Sequence, residues 1–445
     1  MTNAILRLRA SECLLLMKDR HSSCQAHPTD VINMPIMTLS LDTPEFRQDP
    51  YPTYAKLRAD EPVAPIDLPA VLSGPSLMVT RYDDVMAVLK DPRVSNERRK
   101  IMPPRKPSAV KINLMPGVVD ALMKSMVLVD DPDHARLRTL VHKVFTPNMI
   151  QHMQGQIEAI TAELLDQVAK KPVTDLIADF ALPLPLTVIS EMMGVPHKDR
   201  NKFHHLMDGF LHASSNSGWR SQLGQLSNAY SLHRFLKRVI AEHEQHPQND
   251  LTSALVQAEE KGDKLSQDEL VAMLLLLLLA GHETTVNLIG NGMLALLEHP
   301  DQFAKLKASL ELLDSAIEEM LRFTNPVQQI AQRFALEDID LNGMVIPKGS
   351  TVMVNIASAN RDEHVFGKNA DQFDITRKPN PHIAFGFGIH YCLGAPLARL
   401  EAQVAFRALL TRFPNMALAA DPKTLVWRGN VALRGLKALP IQLEN

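Results

Sequence analysis

Apolar positions recur with helical spacing along most of the chain, and only short segments alternate as strands do. Residues 140–323 follow the helical period almost throughout. Residues 76–92 have the pattern of a strand, a turn and a helix, and residues 351–356 are rich in strand-forming side chains. Asn342-Gly343 is a typical hairpin turn. The pattern predicts a mainly α-helical fold with a small β region.

The longest predicted helix covers residues 266–297. Ser266 and Glu269 have the spacing of a capping box at its start. The run LVAMLLLLLLAG (270–281) that follows is about half the roughly 20 residues of a membrane-spanning helix. We therefore expect a helix of about 30 residues, roughly 45 Å long, that crosses the protein core and not a membrane.

The domain organisation follows from the length of the chain and from the lack of internal repeats and linkers. The chain has 445 residues, of which 45% are hydrophobic, enough for a large core. Neither an internal repeat nor a low-complexity linker divides it. We expect one large domain over residues 38–445, preceded by a disordered N-terminal extension, residues 1–37.

Charge and cysteine content exclude several classes of protein. The net charge of −3 argues against a nucleic-acid partner, which would require a concentrated basic excess. Cys13, Cys24 and Cys392 have no regular spacing, so they cannot form a disulfide framework or a four-thiolate zinc site. These features predict a protein of the cytoplasm without a nucleic-acid partner, and we further expect a monomer without a membrane partner.

Cys392 lies in the segment FGFGIHYCLG, just before a helix that has Pro396 in its first turn. At a helix N-terminus the dipole and the free amides favour a thiolate. Gly386, Gly388 and Gly394 permit positive φ and allow the backbone to approach a flat, bulky group. For an isolated cysteine, a structural thiol is the alternative interpretation.

The same segment resembles the haem-binding loop of the cytochrome P-450 family, which has a phenylalanine, a glycine, a basic residue, the ligand cysteine and a final glycine in this order. The matching residues here are Phe385, Gly388, His390, Cys392 and Gly394. The resemblance implies haem b as cofactor and Cys392 as the axial thiolate of its iron, a ligand that favours O–O cleavage. It also places Phe385 near the sulfur and Gly386 against the haem.

The segment AGHETT (280–285) follows the leucine run in the long predicted helix. A threonine inside a helix can bond to the carbonyl of the preceding turn and bend the helix. A solvated glutamate and a packed threonine are the alternative, but the apolar flanks argue against exposure. In the resembled family this segment covers the haem, which implies that Ala280 contacts it, Thr284 holds dioxygen and a water, and Glu283 relays protons.

A further pair of charged residues lies in EEMLR, where Glu319 and Arg322 are three residues apart on one helix face. Alone, such a pair is common and contributes only about 0.2–0.5 kcal/mol. The segment QFDITRKP resembles the part of the family that adds a second arginine, here Arg377. The resemblance implies a buried Glu-Arg-Arg cluster that is needed for haem incorporation and takes no part in the reaction.

Basic residues elsewhere match the family's haem-carboxylate donors. His134 and Arg138 are four residues apart, on one face of a predicted helix. The resemblance assigns His134, Arg138, Arg333 and His390 to the two haem propionates, for which charged donors are suited. Surface salt bridges are the alternative for each of them.

The resemblance extends over residues 44–443 and implies a haem-thiolate monooxygenase of the soluble bacterial type, with one oxygen atom of O₂ inserted into an apolar substrate. No nicotinamide or flavin fingerprint accompanies the haem motifs, so electrons would come from a separate ferredoxin or flavodoxin and its reductase. Arg136, Lys143 and Arg399 are candidates for a local basic patch that binds this partner.

The substrate pocket is expected in the least patterned parts of the chain, which are residues 101–119, 203–217, 277–280 and 327–330. Their aliphatic and methionine side chains predict a hydrophobic substrate such as a terpenoid, steroid, fatty acid or polyketide. Two other functions stay open from the sequence. A peroxide-driven oxygenase would usually lack the acid and alcohol pair, and a haem sensor or carrier would not need it.

Overall fold

The computed structural model describes residues 41, 43–67, 76–101, 124–212, 219–260, 262–330, 333–428 and 432–443. Helices dominate this part of the chain. Those of its first half are α1 (Pro44–Gln48), α2 (Tyr51–Asp60), α3 (Tyr82–Lys90), α4 (Asp133–Val144), α5 (Pro147–His152), α6 (Gln154–Val168), α7 (Pro183–Met192) and α8 (Arg200–His212). Those of its second half are α9 (Trp219–Gln245), α10 (Leu251–Gln257), α11 (Gln267–Glu298), α12 (Pro300–Ala308), α13 (Leu313–Thr324), α14 (Ile356–Ala359), α15 (Glu363–Phe366) and α16 (Ala395–Arg412).

The strands are short and form small sheets. They are β1 (Val63–Pro65), β2 (Ser76–Val79), β3 (Val94–Ser95), β4 (Val173–Asp175), β5 (Glu259–Glu260), β6 (Asp263–Lys264), β7 (Arg333–Ala335), β8 (Ile339–Leu341), β9 (Met344–Ile346), β10 (Thr351–Val354), β11 (Ala417–Leu418) and β12 (Pro440–Gln442). The largest sheet has the order β1-β2-β10-β7-β3, in which β2 and β10 are parallel and the other pairs antiparallel. A smaller sheet has the order β11-β12-β4. The predicted fold class, mainly α with a small β region, is confirmed.

Helix α11 is the predicted long helix and lies in the core. Ser266 is its N-cap and forms the complete capping box with Glu269. Its 32 residues span about 48 Å, and it packs against α7, α9, α13 and α16. Its length and composition alone would also suit a membrane span, but 61% of its apolar window is buried inside the protein. Such burial is typical of a core helix.

The smaller elements predicted from local sequence patterns are also present in the structure. Residues 76–92 form strand β2 and helix α3, as the sequence predicts. The β8–β9 hairpin turns at Asn342 and Gly343, whose φ angles are 54° and 87°. Both residues adopt the positive φ that this type of hairpin turn requires.

Several elements converge on Cys392. The residue lies immediately before α16, which has Pro396 in its first turn and packs against α6, α11 and α13. Helix α4 contributes His134 and Arg138, and strand β7 contributes Arg333. Because these side chains belong to rigid elements from distant parts of the sequence, the fold fixes their relative positions.

Some predictions fall beyond the described residues. The extension, residues 1–37, and the domain boundary at residue 38 lie outside them. So do nearly all of the pocket segment 101–119 and part of 203–217.

Candidate active site

A cavity of about 300 Å³ lies between the middle of α11 and the Cys392 loop. The predicted pocket segments 277–280 and 327–330 both contribute to its wall. Phe203, from a third predicted segment, packs in the helical core with its ring 5.6 Å from that of Phe235. The aliphatic and methionine side chains on the wall include Met126, Ile189, Met192, Met273, Leu277, Val327 and Ile330.

Two glycines shape the loop before Cys392. Gly386 and Gly388 have φ angles of +73° and +74°, which other residues rarely adopt. A Cβ on Gly388 would also lie only 3.1 Å from the carbonyl oxygen of Leu89. Gly394 differs from the prediction, because its φ is −79° and a Cβ there would make an ordinary 3.9 Å contact with Cys392 Sγ.

The sulfur of Cys392 is open to the cavity and otherwise enclosed by protein. The amides of Gly394 and Ala395 hydrogen-bond to it. Burial nevertheless raises the pKa of the Cys392 thiol, although these amides act in the opposite direction. The helix N-terminus alone therefore does not favour the thiolate here, and a metal cation bound in the cavity would supply the missing stabilisation.

The four predicted carboxylate donors are close together. Arg138, Arg333 and His390 line the cavity, and the ring of His134 lies 4.2 Å from that of His390. Arg138 Nη2 donates to the carbonyl oxygen of Tyr391 at 2.8 Å. Among the described residues, Arg333 Nη1 and His134 Nε2 are buried without a hydrogen-bond partner. Buried donors without acceptors are costly, so this cluster suits an anionic ligand.

Burial and mutual repulsion disfavour the charged forms of these basic groups, and an anion between them would offset the repulsion. Burial lowers the pKa of Arg333 to about 10. Burial, and then Arg333 and His134, lower the pKa of His390 to about 3. Haem b has two carboxylates for these donors, an apolar ring for the aliphatic wall and an iron that accepts the sulfur. The described residues therefore fit haem b.

Helix α11 presents small and hydroxylated residues to the cavity. Ala280, Gly281, Thr284 and Thr285 all line it. Thr284 Oγ1 donates to the carbonyl oxygen of Ala280 at 2.6 Å, and Thr285 Oγ1 donates to that of Gly281 at 3.1 Å. The predicted bond of a threonine to the preceding turn is therefore present at two adjacent positions.

Glu283, the predicted proton relay, lies on a different face of α11. It is absent from the wall that the described residues form. Its side chain is 22% exposed, and its Oε1 lies 3.9 Å from Nη1 of Arg428. Any role for Glu283 in the cavity therefore requires a change of rotamer or an intervening water.

Glu401 lines the cavity and was missed by the sequence analysis. It is 3% exposed, and burial raises the pKa of its carboxyl to about 8, against a smaller effect of a hydrogen bond with the Thr285 side chain. A signal was present in the sequence, because Leu397 and Val404 put the apolar face of α16 on the same side as Glu401. An acid on a buried helix face is a candidate functional residue.

The predicted Glu-Arg-Arg cluster is assembled away from the cavity. Glu319 and Arg322 are fully buried, with Nε and Oε2 2.7 Å apart. Arg377 Nε lies 3.3 Å from both carboxylate oxygens of Glu319. Arg322 also donates to the carbonyl oxygens of Asn360 and Ala370. The cluster thus joins α13 to the segment after α15.

The three residues of the predicted basic patch each have an acidic partner. Arg136 pairs with Asp263 and Glu269, and Lys143 pairs with Glu260. Arg399 forms a two-pronged pair with Glu318, at 2.6 and 2.8 Å. Their charges are therefore largely balanced within the protein.

Comparison with known proteins gives concordant matches. The family model "Cytochrome P450" matches residues 72–424. The chain is 43% identical over 401 residues to the polyketide biosynthesis cytochrome P450 PksS of Bacillus subtilis, covering 90% of this chain and 97% of PksS. It is 42% identical over 412 residues to the cytochrome P450 monooxygenase PikC of Streptomyces venezuelae, covering 92% of this chain and 94% of PikC.

Solved structures agree with these sequence matches. The structure of PksS from Bacillus subtilis superimposes with a TM-score of 0.84 at 41% identity, covering 92% of this chain and 100% of PksS. That of P450BioI, in complex with an acyl carrier protein ligated to hexadec-9Z-enoic acid, superimposes with a TM-score of 0.80 at 37% identity. This match covers 90% of this chain and 99% of P450BioI.

Proposed function

As the chain belongs to the cytochrome P450 family, a family of haem-thiolate monooxygenases, we propose that Cys392 is the thiolate ligand of its haem b. The observation that carries the proposal is the Cys392 sulfur, which faces a cavity whose wall includes Arg138 and Arg333, with Arg333 Nη1 buried and without a hydrogen-bond partner among the described residues. The side chains proposed to hold the haem carboxylates are His134, Arg138, Arg333 and His390.

The haem, when bound, supplies the reductive activation of dioxygen. The amides of Gly394 and Ala395 hold the sulfur in place and withdraw charge from it. Phe385 lines the cavity beside the sulfur, and the Arg399 guanidinium lies 4.5 Å from its ring centroid. We assign to Phe385 the exclusion of water from the sulfur.

Thr284 holds an oxygen-bearing group at the cavity side of α11. Its hydroxyl proton is engaged by the Ala280 carbonyl, so its oxygen can accept a hydrogen bond from a water or hydroxyl in the cavity. The Glu283 side chain is 22% exposed, with its Oε1 3.9 Å from Nη1 of Arg428, so it lies in contact with solvent. In this assignment Glu283 brings protons to α11 after a change of rotamer or through an intervening water, and Thr284 positions their acceptor.

The absorption spectrum of the reduced protein with carbon monoxide tests the assignment of Cys392. We expect a strongly red-shifted Soret band for the wild type and none for Cys392→His, because only a thiolate gives this shift. Matched haem content in the two proteins, measured after extraction, is the control. A wild type that binds no haem, or has an unshifted band, would contradict the proposal.

The electrons come from a separate redox protein, and we propose a ferredoxin or flavodoxin with its reductase. The surface near Cys392 offers Ile389 and Tyr391, which are 53% and 40% exposed, for an apolar contact. We further propose that the chain acts as a monomer in the cytoplasm. Oxygen consumption that requires both substrate and a surrogate ferredoxin separates this function from a peroxide-driven oxygenase and from a haem sensor.

We propose a polyketide as the substrate class. The wall away from the Cys392 loop is aliphatic, with several methionines that adapt to bulky apolar ligands. The match to PksS, named for polyketide biosynthesis, favours this class over a terpenoid, steroid or fatty acid. Titration with a polyketide macrolactone and, separately, a long-chain fatty acid tests this preference through the shift in haem spin state. A shift with the fatty acid alone would contradict it.

A further inference from the structure

Asn96 is a buried residue whose side-chain amide contacts His390, one of the proposed carboxylate donors. It is 5% exposed and directly follows strand β3. Its Nδ2 lies 3.0 Å from the carbonyl oxygen of Val127 and 2.6 Å from Nε2 of His390. An amide nitrogen has two protons, so it can serve both contacts at once. The assignments above give Asn96 no role.

The contact with Val127 fixes the orientation of the Asn96 amide. A carbonyl oxygen only accepts hydrogen bonds, so the amide atom that faces it must be the nitrogen and not the oxygen. The same nitrogen then faces His390 as a donor. Nε2 of His390 must therefore present its lone pair, and the ring proton lies on Nδ1. Asn96 thus decides which nitrogen of this ring can donate.

Nδ1 of His390 is the ring nitrogen that remains free for an anion. Among the described residues it has no hydrogen-bond partner, and His390 lines the cavity. The ring centroid also lies 4.2 Å from that of His134, with 49° between the two planes. A ring that is held at Nε2 and packed along one side cannot turn freely. Its N–H direction is therefore set before a ligand enters.

The backbone around Asn96 is anchored to Asp130. The backbone amide of Asn96 donates to Asp130 Oδ1 at 2.8 Å, and the Ser95 hydroxyl and the Lys100 ammonium group both donate to Oδ2. Strand β3 also pairs antiparallel with β7, which carries Arg333. Asn96 therefore belongs to a well-fixed part of the fold, so its amide can orient the His390 ring.

We propose that Asn96 is a positioning residue for the haem, which donates to Nε2 of His390 and so directs the Nδ1–H group of that ring to a haem carboxylate. This inference rests on the proposed function, in which His390 holds one of these carboxylates. Asn96 is not among the described residues that line the cavity, so it acts through His390. Outer residues orient metal-ligating histidines through the second ring nitrogen in the same manner.

Asn96→Leu in the haem-loaded enzyme tests this role, because leucine has a similar volume and no donor. Without the amide, His390 is free to turn or to take the other tautomer, and the directed hydrogen bond to the carboxylate is lost. We expect haem release to an acceptor globin to be about threefold to tenfold faster, the usual effect of one hydrogen bond. Asn96→Ala, which removes the amide without adding an apolar chain, should have the same effect.

Two further readouts do not depend on how firmly the haem is retained. The propionate bands in the resonance Raman spectrum of Asn96→Leu should shift relative to the wild type, because they report hydrogen bonds to the haem carboxylates. The reduction potential of the haem iron should fall, because a carboxylate with a weaker donor carries more negative charge and stabilises the ferric form.

Ser95→Ala is the matched control for damage to the segment. Ser95 is 1% exposed and contacts Asp130 as Asn96 does, but its hydroxyl bonds to Asp130 and to the amide of Glu97 and not to His390. We expect this variant to lower the thermal midpoint and to leave the Raman bands and the potential at wild-type values. Equal shifts in Ser95→Ala and Asn96→Leu would overturn the inference.

His390→Leu provides an independent test, because it removes the group through which Asn96 is proposed to act. In that background Asn96→Leu should change the rate of haem release by less than about twofold, since the two substitutions remove one interaction. Effects of the two substitutions that multiply, or an Asn96→Leu variant with wild-type Raman bands and potential, would overturn this inference alone. A wild type that binds no haem would overturn the proposed function, and this inference with it.

Discussion

Arg333 is 4% exposed on β7, and its Nη1 has no hydrogen-bond partner among the described residues. Without an anion beside it, this guanidinium destabilises the folded state, because a buried charge without a partner is costly. With a carboxylate beside it, the same group gives a charge-assisted hydrogen bond. The residue is thus suited to retaining a ligand, and its effect on stability should depend on that ligand.

Arg333→Met should therefore separate haem retention from stability. We expect haem release to an acceptor globin to be about tenfold faster or more, since a hydrogen bond to a charged group contributes about 1.5–3 kcal/mol. The thermal midpoint of the haem-free protein should stay the same or rise. A haem-free variant that is clearly less stable than the wild type would indicate a structural role instead.

Thr284→Ala should uncouple oxygen reduction from product formation. Without the hydroxyl, nothing on α11 at this position holds the proton acceptor, so peroxide should increase at the expense of product. Thr284→Ser, which keeps the hydroxyl, is the control. Tight coupling in the alanine variant, measured as product per oxygen consumed, would contradict the assigned role.

Individual site residues were predictable only where a motif fixed their neighbours. Cys392 and His390 lie in one short loop, and the cavity brings both together. The motif predicts Glu283 as the proton relay because it precedes Thr284 in the sequence, whereas its side chain lies beside Arg428. Glu401 was missed because its environment is made by α11, which is distant in sequence. Which face of a helix borders a cavity depends on tertiary packing that local spacing does not contain.

Among the secondary-structure elements, α13 depends on a buried ion pair. Glu319 accepts hydrogen bonds from Arg322, Arg377 and the amide of Asp374, so its charge is fully compensated. These contacts attach the segment after α15 to α13. Loss of the carboxylate would leave two guanidinium groups buried without their anion.

Glu319→Gln should lower the free energy of unfolding by about 3–5 kcal/mol, the usual cost of breaking a buried pair from one side. We expect low haem content at physiological temperature as a result, measured by chemical denaturation and haem extraction. Glu318→Gln is the matched control. The carboxylate of Glu318 is 31% exposed, so its loss should lower the free energy of unfolding much less. Equal effects of the two variants would contradict the structural role of the cluster.

Elements specified by local sequence were predictable, and those that depend on distant pairing were not. The capping box at Ser266 and the turn at Asn342-Gly343 are each determined by residues that are adjacent or nearly adjacent in the sequence. The sheet that contains β7 could not be derived, because its strands are two to four residues long and are brought together from distant parts of the chain. The position of Arg333 at the cavity therefore depends on strand pairing that the sequence pattern does not predict.

At the scale of the whole molecule, the surface around the Cys392 loop balances its charges in pairs. Arg136, Lys143 and Arg399 all have acidic partners. Although burial acts in the opposite direction, Arg399 and His382 lower the pKa of Glu318 to about 2. A carboxyl with a depressed pKa stabilises the fold above its unfolded pKa, and this contribution is lost as the pH falls towards 2.

Arg399→Gln should consequently act on stability more than on partner binding. We expect a loss of about 1 kcal/mol at neutral pH, because the pair is partly exposed, and a smaller dependence of stability on pH in the acid range. The apparent KM for a ferredoxin should stay near the wild-type value. A large rise of that KM without loss of stability would instead support a basic docking patch.

The cavity wall is shared between separate parts of the fold. The Cys392 loop, β7 and α16 form the side with the Cys392 sulfur and the charged groups. Helix α7 contributes Ile189 and Met192, and the segment after α13 contributes Val327 and Ile330. Because Ile189 and Met192 lie on an element separate from the Cys392 loop, we expect substitutions there to leave the loop intact. Selectivity can therefore diverge during evolution, or be redesigned in the laboratory, while the oxidative chemistry is inherited unchanged.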